Sequence, residues 1–232
     1  MAITFLNSTA ITIGTAASTW SCPTHSSRLG GAAVMVGIGL GSSAVTVTAV
    51  TDNAGNSYAL AIARPSPKPA AGAELWYALN WSSGSTRISV TLSANSSGSM
   101  GIGQFDGVST ANALLVTGSS AITSFSTSHG ASEITPSEAN ALIVSFARLT
   151  ASSVGTVTNL GGMTTWLSSG QAARVHGMYE IQGAASTVTG SFMASSRCLH
   201  ASVIAAFSDT AVVGGWRGRP SRARLMGAGQ MG

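Results

Sequence analysis

Among 232 residues there are only four glutamates and one lysine, Lys68. Long charged side chains normally solvate the outer stripe of an amphipathic helix, so a chain this poor in them has little with which to build one. Val, Ile, Thr and Ser abound instead, and these residues favour strands. An all-β protein is expected. Charged residues make up 8% of the chain, against about 25% in ordinary soluble domains. Few charges suit either a membrane protein or a protein whose exposed faces are made of Ser, Thr, Asn and Gly. No run approaches the roughly 18 apolar residues that a spanning helix requires, and the stretch from Ala32 to Leu40 is short and dotted with glycine. The second reading is adopted, with no membrane partner.

Period-two alternation supports strands. Val34, Val36, Ile38 and Leu40 share a face, as do Ile88, Val90 and Leu92, with Arg87, Ser89, Thr91 and Ser93 opposite. Leu142, Val144 and Phe146 repeat the pattern, followed by Leu199, Ala201, Val203, Ala205 and Phe207. Each reads as a sandwich strand with one buried face. The turn-forming run Asp52-Asn53-Ala54-Gly55-Asn56 predicts a hairpin. Pro65, Pro67 and Pro69 predict a loop or an edge, because proline cannot donate to a central ladder.

An internal echo runs through the chain. Ala33 to Ile38 resembles Ala141 to Phe146, and Trp76 to Phe105, read as a hairpin, matches Met178 to Phe207 at a constant offset. Two arrangements fit: one jelly-roll-like antiparallel sandwich over residues 1–209, with similar halves at about 1–110 and 119–209, or two small tandem sandwiches. The single sandwich is preferred, followed by an extended Arg/Gly-rich arm at 210–232.

Chemistry is sparse. The histidines are His25, His129, His176 and His200, and no Gly-x-Ser-x-Gly elbow accompanies them. His200 should point away from the face carrying Val203. Cys22 and Cys198 are too few for a disulfide scaffold and are expected to be buried free thiols. Cys22, His25, Cys198 and His200 form a zinc-type quartet only if the fold joins them; no metal or other cofactor is expected. Glu74 beside Trp76 and Glu180 beside Tyr179 are the nearest approach to a glycosidase carboxylate pair, and no enzyme activity is expected. Trp76, Tyr77, Trp81 and Trp166 are candidate ligand-stacking aromatics, with at least one of Trp76 and Tyr77 leaving the core face and a glycan as the ligand.

Up to Asp209 seven basic residues balance seven acidic ones, so the net charge of +4 resides in the arm. Four arginines without a basic surface make a poor nucleic-acid footprint; a glycine-rich end without function is a second reading. The third is preferred: an arm docking on a neighbouring subunit through Trp216 and Leu225 as apolar anchors, with Arg217, Arg219, Arg222 and Arg224 meeting carboxylates.

The succession Val50 to Tyr58, Leu75-Trp76-Tyr77-Ala78, Gly84 to Val90 and Phe105-Asp106-Gly107-Val108 resembles β-sandwich proteins of tailed-bacteriophage virions and phage-derived bacterial regions. The resemblance implies a structural or surface-binding role, such as capsid decoration or cement, a head fibre or a tail accessory, and brings no catalytic residues. Expected partners are the major capsid protein or other virion subunits and further copies of the chain. The N-terminus lacks a basic region ahead of its apolar residues, so assembly in a host cytoplasm and residence in the virion are expected.

Overall fold

The computed structural model describes residues 2–24, 30–65, 72–122, 124–150, 155–168 and 175–209. Among these there are thirteen strands and no helix. The first half supplies β1 (Thr4–Pro23), β2 (Ala33–Leu40), β3 (Val47–Asp52), β4 (Ala59–Pro65), β5 (Gly72–Ala78) and β6 (Arg87–Asp106). The second supplies β7 (Leu114–Ala121), β8 (Ser126–Gly130), β9 (Leu142–Thr150), β10 (Val157–Asn159), β11 (Thr164–Ser168), β12 (Val175–Ile181) and β13 (Ser191–Phe207).

Each half forms one antiparallel sheet. The first has the order β1-β6-β2-β5-β4, with β3 also on β6; the second has β10-β13-β9-β12-β11, with β7 and β8 also on β13. The two patterns correspond, except that the long strand β1 of the first sheet is matched by two shorter strands, β7 and β8, in the second. The long strand β6 is flanked by β1 and β2 over Gly98–Phe105, and by β1 and β3 over Ile88–Leu92. In the same way β13 is flanked by β7 and β9 near its end, and by β8 and β10 near its start.

The long strands explain the layering. Ile88, Val90, Leu92, Met100 and Ile102 lie on one face of β6 and all enter one core with Trp20, Val34, Val36, Ile38 and Leu40. A strand can deliver both of its ends to one core only by curling over it. Register shifts in β1 between Ile13 and Thr19 accompany the bend. There the Trp20 indole donates to the carbonyls of Ala17 and Ser96, both at 3.2 Å. Likewise Phe192, Ala194, Cys198, Ile204 and Ala206 of β13 share a second core with Ile143, Ala147, Leu149 and Met178.

Between the halves lies a third core. Met35, Leu75 and Phe105 meet Leu142, Val144, Phe146, Trp166, Val203 and Phe207 there. The molecule is thus four layers deep: an outer three-stranded piece, two inner sheets back to back, and a second outer piece. Inner strands are buried on both faces, so β2 is buried at all eight positions where alternation with one buried face was expected. Close approach of the inner sheets depends on glycine. A Cβ on Gly37 would overlap the Phe146 ring, and one on Gly101 would overlap Leu167.

The antiparallel sandwich expected from the sequence is present, and its connectivity differs from a jelly roll in one respect. The chain passes between the halves once, from β6 to β7, instead of alternating between two facing sheets. Three expected hairpins are also absent. The Asp52–Asn56 turn is formed, with Gly55 at φ 77°, but it joins β3, paired to β6, with β4, paired to β5. Neither β5 with β6 nor β12 with β13 is a neighbouring pair, because β2 and β9 lie between them. Turn chemistry marks where a chain reverses; it does not choose the strand that each arm pairs with.

Candidate functional site

The four aromatics read as stacking candidates are held by the fold. Trp81 is 2% exposed, and its indole donates to the Asp52 carboxylate at 3.2 Å and to the Tyr58 hydroxyl at 3.1 Å. Trp166 is 3% exposed in the inter-sheet core, with its indole directed at the Ser145 carbonyl. Tyr77 packs edge-on against Phe207, with ring centroids 5.2 Å apart. Trp76 is half-buried, and its indole donates to Glu74 at 2.8 Å. Each face of β5 carries a core, so Trp76 and Tyr77 are both half-buried, Trp76 against the first-half core and Tyr77 against the inter-sheet core.

The carboxylates follow the same geometry. Glu74 is buried and accepts from the Val47 N–H at 3.0 Å as well as from Trp76. Burial raises its pKa above the ordinary carboxylate value, and these two hydrogen bonds oppose the rise. Glu180 lies on the Met178 face of β12, toward the core of the other half. The two acids point away from each other across both inner sheets, so they are no facing pair.

Asp52 is more than a turn residue: its carboxylate is a hub. It accepts from the Ala54 and Asn56 amides at 3.0 and 3.1 Å, from the Asn56 side chain at 2.6 Å, from the Tyr58 hydroxyl at 2.9 Å, and from Trp81. Partial burial acts to raise its pKa, but the donors around it prevail and hold it below the usual carboxylate value.

Cys22 and Cys198 are both free and fully buried. They lie in separate cores, Cys22 in the first half and Cys198 in the second, so neither a bridge nor the proposed quartet brings them together. His25 lies outside the described residues. Among the described residues no group of three or more metal-ligand side chains could hold an ion.

Around Cys198 the fold makes a different constellation. The Cys198 thiol is 3.1 Å from His129 Nε2, His129 Nδ1 is 3.0 Å from His200 Nδ1, and His200 Nε2 is 3.0 Å from the Gly130 carbonyl. A carbonyl can only accept, so His200 carries its proton on Nε2 and accepts at Nδ1. His129 must then donate from Nδ1 and accept the thiol proton at Nε2. The chain is therefore satisfied when every member is neutral. Burial agrees with that state: it pushes the Cys198 thiol up to about 11 and lowers His200 to about 4, with His129 also lowered. Cys198 is 0% exposed and lies within the second-half core. What the chain does is clasp β8 to β13 across the register shift between Met193 and Cys198. His200 points away from Val203, as alternation required, but the face it points to is a second core. The spacing of Cys198 and His200 placed both on one face; His129, from a distant strand, left no local signal.

The outer layers are the remaining candidates. In the first half the outward row Arg87, Ser89 and Thr91 of β6 lies beside Thr19 and Ser21 of β1 and Thr51 of β3, a face of hydroxyls in which Ser21 and Ser89 approach to 3.4 Å. In the second half the outward row of β13 is Met193, Ser195 and Arg197. Met193 is 45% exposed and Phe125, immediately before β8, is 53% exposed, with the Arg197 guanidinium donating to the Phe125 carbonyl at 2.8 Å. These faces look in opposite directions. The proposed arm residues Trp216, Arg217, Arg219, Arg222, Arg224 and Leu225 lie outside the described residues. No family model, curated protein or solved structure matches the chain.

Proposed function

We propose that this chain is a non-enzymatic structural protein of a tailed-phage virion, of the capsid decoration or cement type, joining neighbouring capsid subunits. One observation carries the reading: two corresponding sheets are packed back to back through a common core, leaving two outer faces pointing away from each other. A rigid block with two opposed faces can bridge two neighbours. The faces differ in chemistry, hydroxyl-rich on one side and presenting Met193, Phe125 and Arg197 on the other, which suits contacts to two different surfaces. The arm at 210–232 would add a third contact.

The test is mass spectrometry of particles purified from a host that encodes the chain. The chain is expected at a stoichiometry matching a capsid lattice, and Met193→Asp is expected to reduce its incorporation while leaving the fold intact. Absence from particles would refute the reading. The alternative, a carbohydrate- or receptor-binding module, now depends on Trp76, the half-buried indole beside Glu74. A glycan array in which reproducible binding disappears with Trp76→Ala would favour it.

A further inference from the structure

Three of the four histidines in this chain meet in one place. The rings of His129, His176 and His200 lie around Phe192, with centroids 5.2, 5.4 and 6.2 Å from its ring, and all four residues are buried. Two of these imidazoles tie layers together. His200 lies in the part of β13 paired with Leu149 of the inner sheet, and it meets His129 of the outer strand β8 at 3.0 Å. His176 of the inner strand β12 meets Asn159 Oδ1 of the outer strand β10. The Asn159 amide nitrogen donates to the Met163 carbonyl and the Thr165 hydroxyl, which leaves Oδ1 to accept, so His176 donates from Nε2.

Neither tie accommodates more protons freely. His200 already donates from Nε2 to the Gly130 carbonyl, and a proton on its Nδ1 would face the His129 N–H, donor against donor. His129 can take one only at Nε2, with the Cys198 thiol turned to serve as a weak acceptor. His176 Nδ1 has no hydrogen-bond partner among the described residues, so a proton there adds a buried N–H with nothing to receive it. Nor is a counter-charge at hand. All seven aspartates and glutamates of the chain are among the described residues. On the His176 face of β12, Glu180 lies roughly 13 Å along the strand, and burial raises its pKa so that acid neutralises it early. Glu133 and Glu138, in the segment after β8, are exposed. Arg148 of β9 lies on the inter-sheet side, where a Cβ on Gly39 would meet it, and Arg197 of β13 reaches outward to the Phe125 carbonyl. Strands β7, β10 and β11 bring no titratable group.

We propose that this ring cluster is an acid-triggered latch: on taking up protons, His129, His176 and His200 release the outer piece of the second half, β8 and β10 with residues 191–198 of β13, from the inner sheet, while the first half stays closed. The sign follows from burial. His176 and His200 are lowered from 6.5 to about 4 in the closed state, so their hold is complete above the unfolded pKa and is lost as pH falls from 6.5 toward 4. The first half lacks this sensitivity, for none of its described residues is a histidine. Its Asp52 stays ionised below the usual carboxylate range, and Glu74, raised by burial, favours the folded state more as pH falls. The latch works within one chain, so it can fail while the virion reading stands, and the reverse.

The two buried free thiols, one in each half, report the two halves separately. The experiment labels the full chain with dithiodipyridine, a disulfide reagent that reacts in acid, from pH 7 to 4.5. Mass spectrometry assigns each site, and rates are taken relative to the unfolded chain at the same pH. Labelling of Cys198 should rise by about tenfold per pH unit below 6.5 for each histidine released, while Cys22 stays protected. His200→Gln keeps a donor for the Gly130 carbonyl and cannot be charged, so it should lower the slope of log rate against pH by about one. His176→Gln should do the same, and circular dichroism at pH 7 establishes that each variant is folded. A Cys198 as protected at pH 4.5 as at pH 7 overturns the proposal, whatever the variants do. So do two thiols that become reactive together, which is global unfolding, or a slope that both folded variants leave unchanged.

Discussion

Asp52 illustrates how much a single side chain holds in a protein with few charges. Its carboxylate joins the turn after β3 to Tyr58 and Trp81 of the first-half core. Asp52→Ala removes the acceptor and leaves the buried Trp81 indole with only Tyr58. A loss of about 2–4 kcal/mol is expected, read as a lower denaturant midpoint with unchanged slope. The pH dependence has a definite sign: a carboxyl depressed in the native state contributes stability above its unfolded pKa, and that contribution is lost as pH falls through its lower native value. The role was only half legible in the sequence. Asp52-Asn53-Ala54-Gly55 announces a turn, but Trp81 enters the hub through folding. The same holds for Trp166 and Tyr77: alternation assigned each side chain a direction, while its burial depended on a second sheet that no local pattern describes.

At the scale of strands, the doubly buried inner sheets are the decisive feature. Gly37→Ala would drive a methyl group into Phe146 and should cost about 1–3 kcal/mol. Gly14, on exposed β1 with nothing within 4 Å of an added Cβ, is its control. Gly14→Ala should be neutral to slightly stabilising by about 0.4–1 kcal/mol, and thermal unfolding of the pair checks both signs. The β8–β13 clasp gives a second prediction. His176 and His200 are buried with pKa values lowered to about 4 by desolvation, from 6.5. Their contribution is complete above the unfolded pKa and is lost as pH falls from about 6.5 toward 4, by up to about 1.4 kcal/mol per pH unit for each histidine. Among the described residues His129, His176, His200 and Cys198 are the titratable groups gathered about Phe192, and no carboxylate is among them. Denaturant midpoints measured from pH 7 to 4 should fall, and the His200→Gln variant should fall less steeply. A flat profile would show that water reaches these rings.

For the molecule as a whole, each half has its own core and shares a third. A first half expressed alone, residues 1–110, should retain the core around Trp20, Ile88 and Met100 but expose the face of Met35, Leu75 and Phe105. It should therefore bind a hydrophobic dye and associate, whereas deleting residues 210–232 should leave a folded body that binds no such dye. Sequence by itself determined the class of structure. With four glutamates and one lysine there was no material for solvent-facing helices, and the period-two runs fixed which residues form strands and which share a face. It also carried the echo between β5–β6 and β12–β13, since residues in corresponding strands meet corresponding surroundings. Tertiary structure alone decided that the echoed strands are not hairpins, that the two sheets lie back to back, and that Cys198 meets His129 while Cys22 lies in another core. The physical reason is that alternation encodes only the direction of a side chain relative to its own strand. What waits in that direction, water or another sheet, is set by long-range pairing, and in this fold the bend of β6 and β13 turns both faces inward.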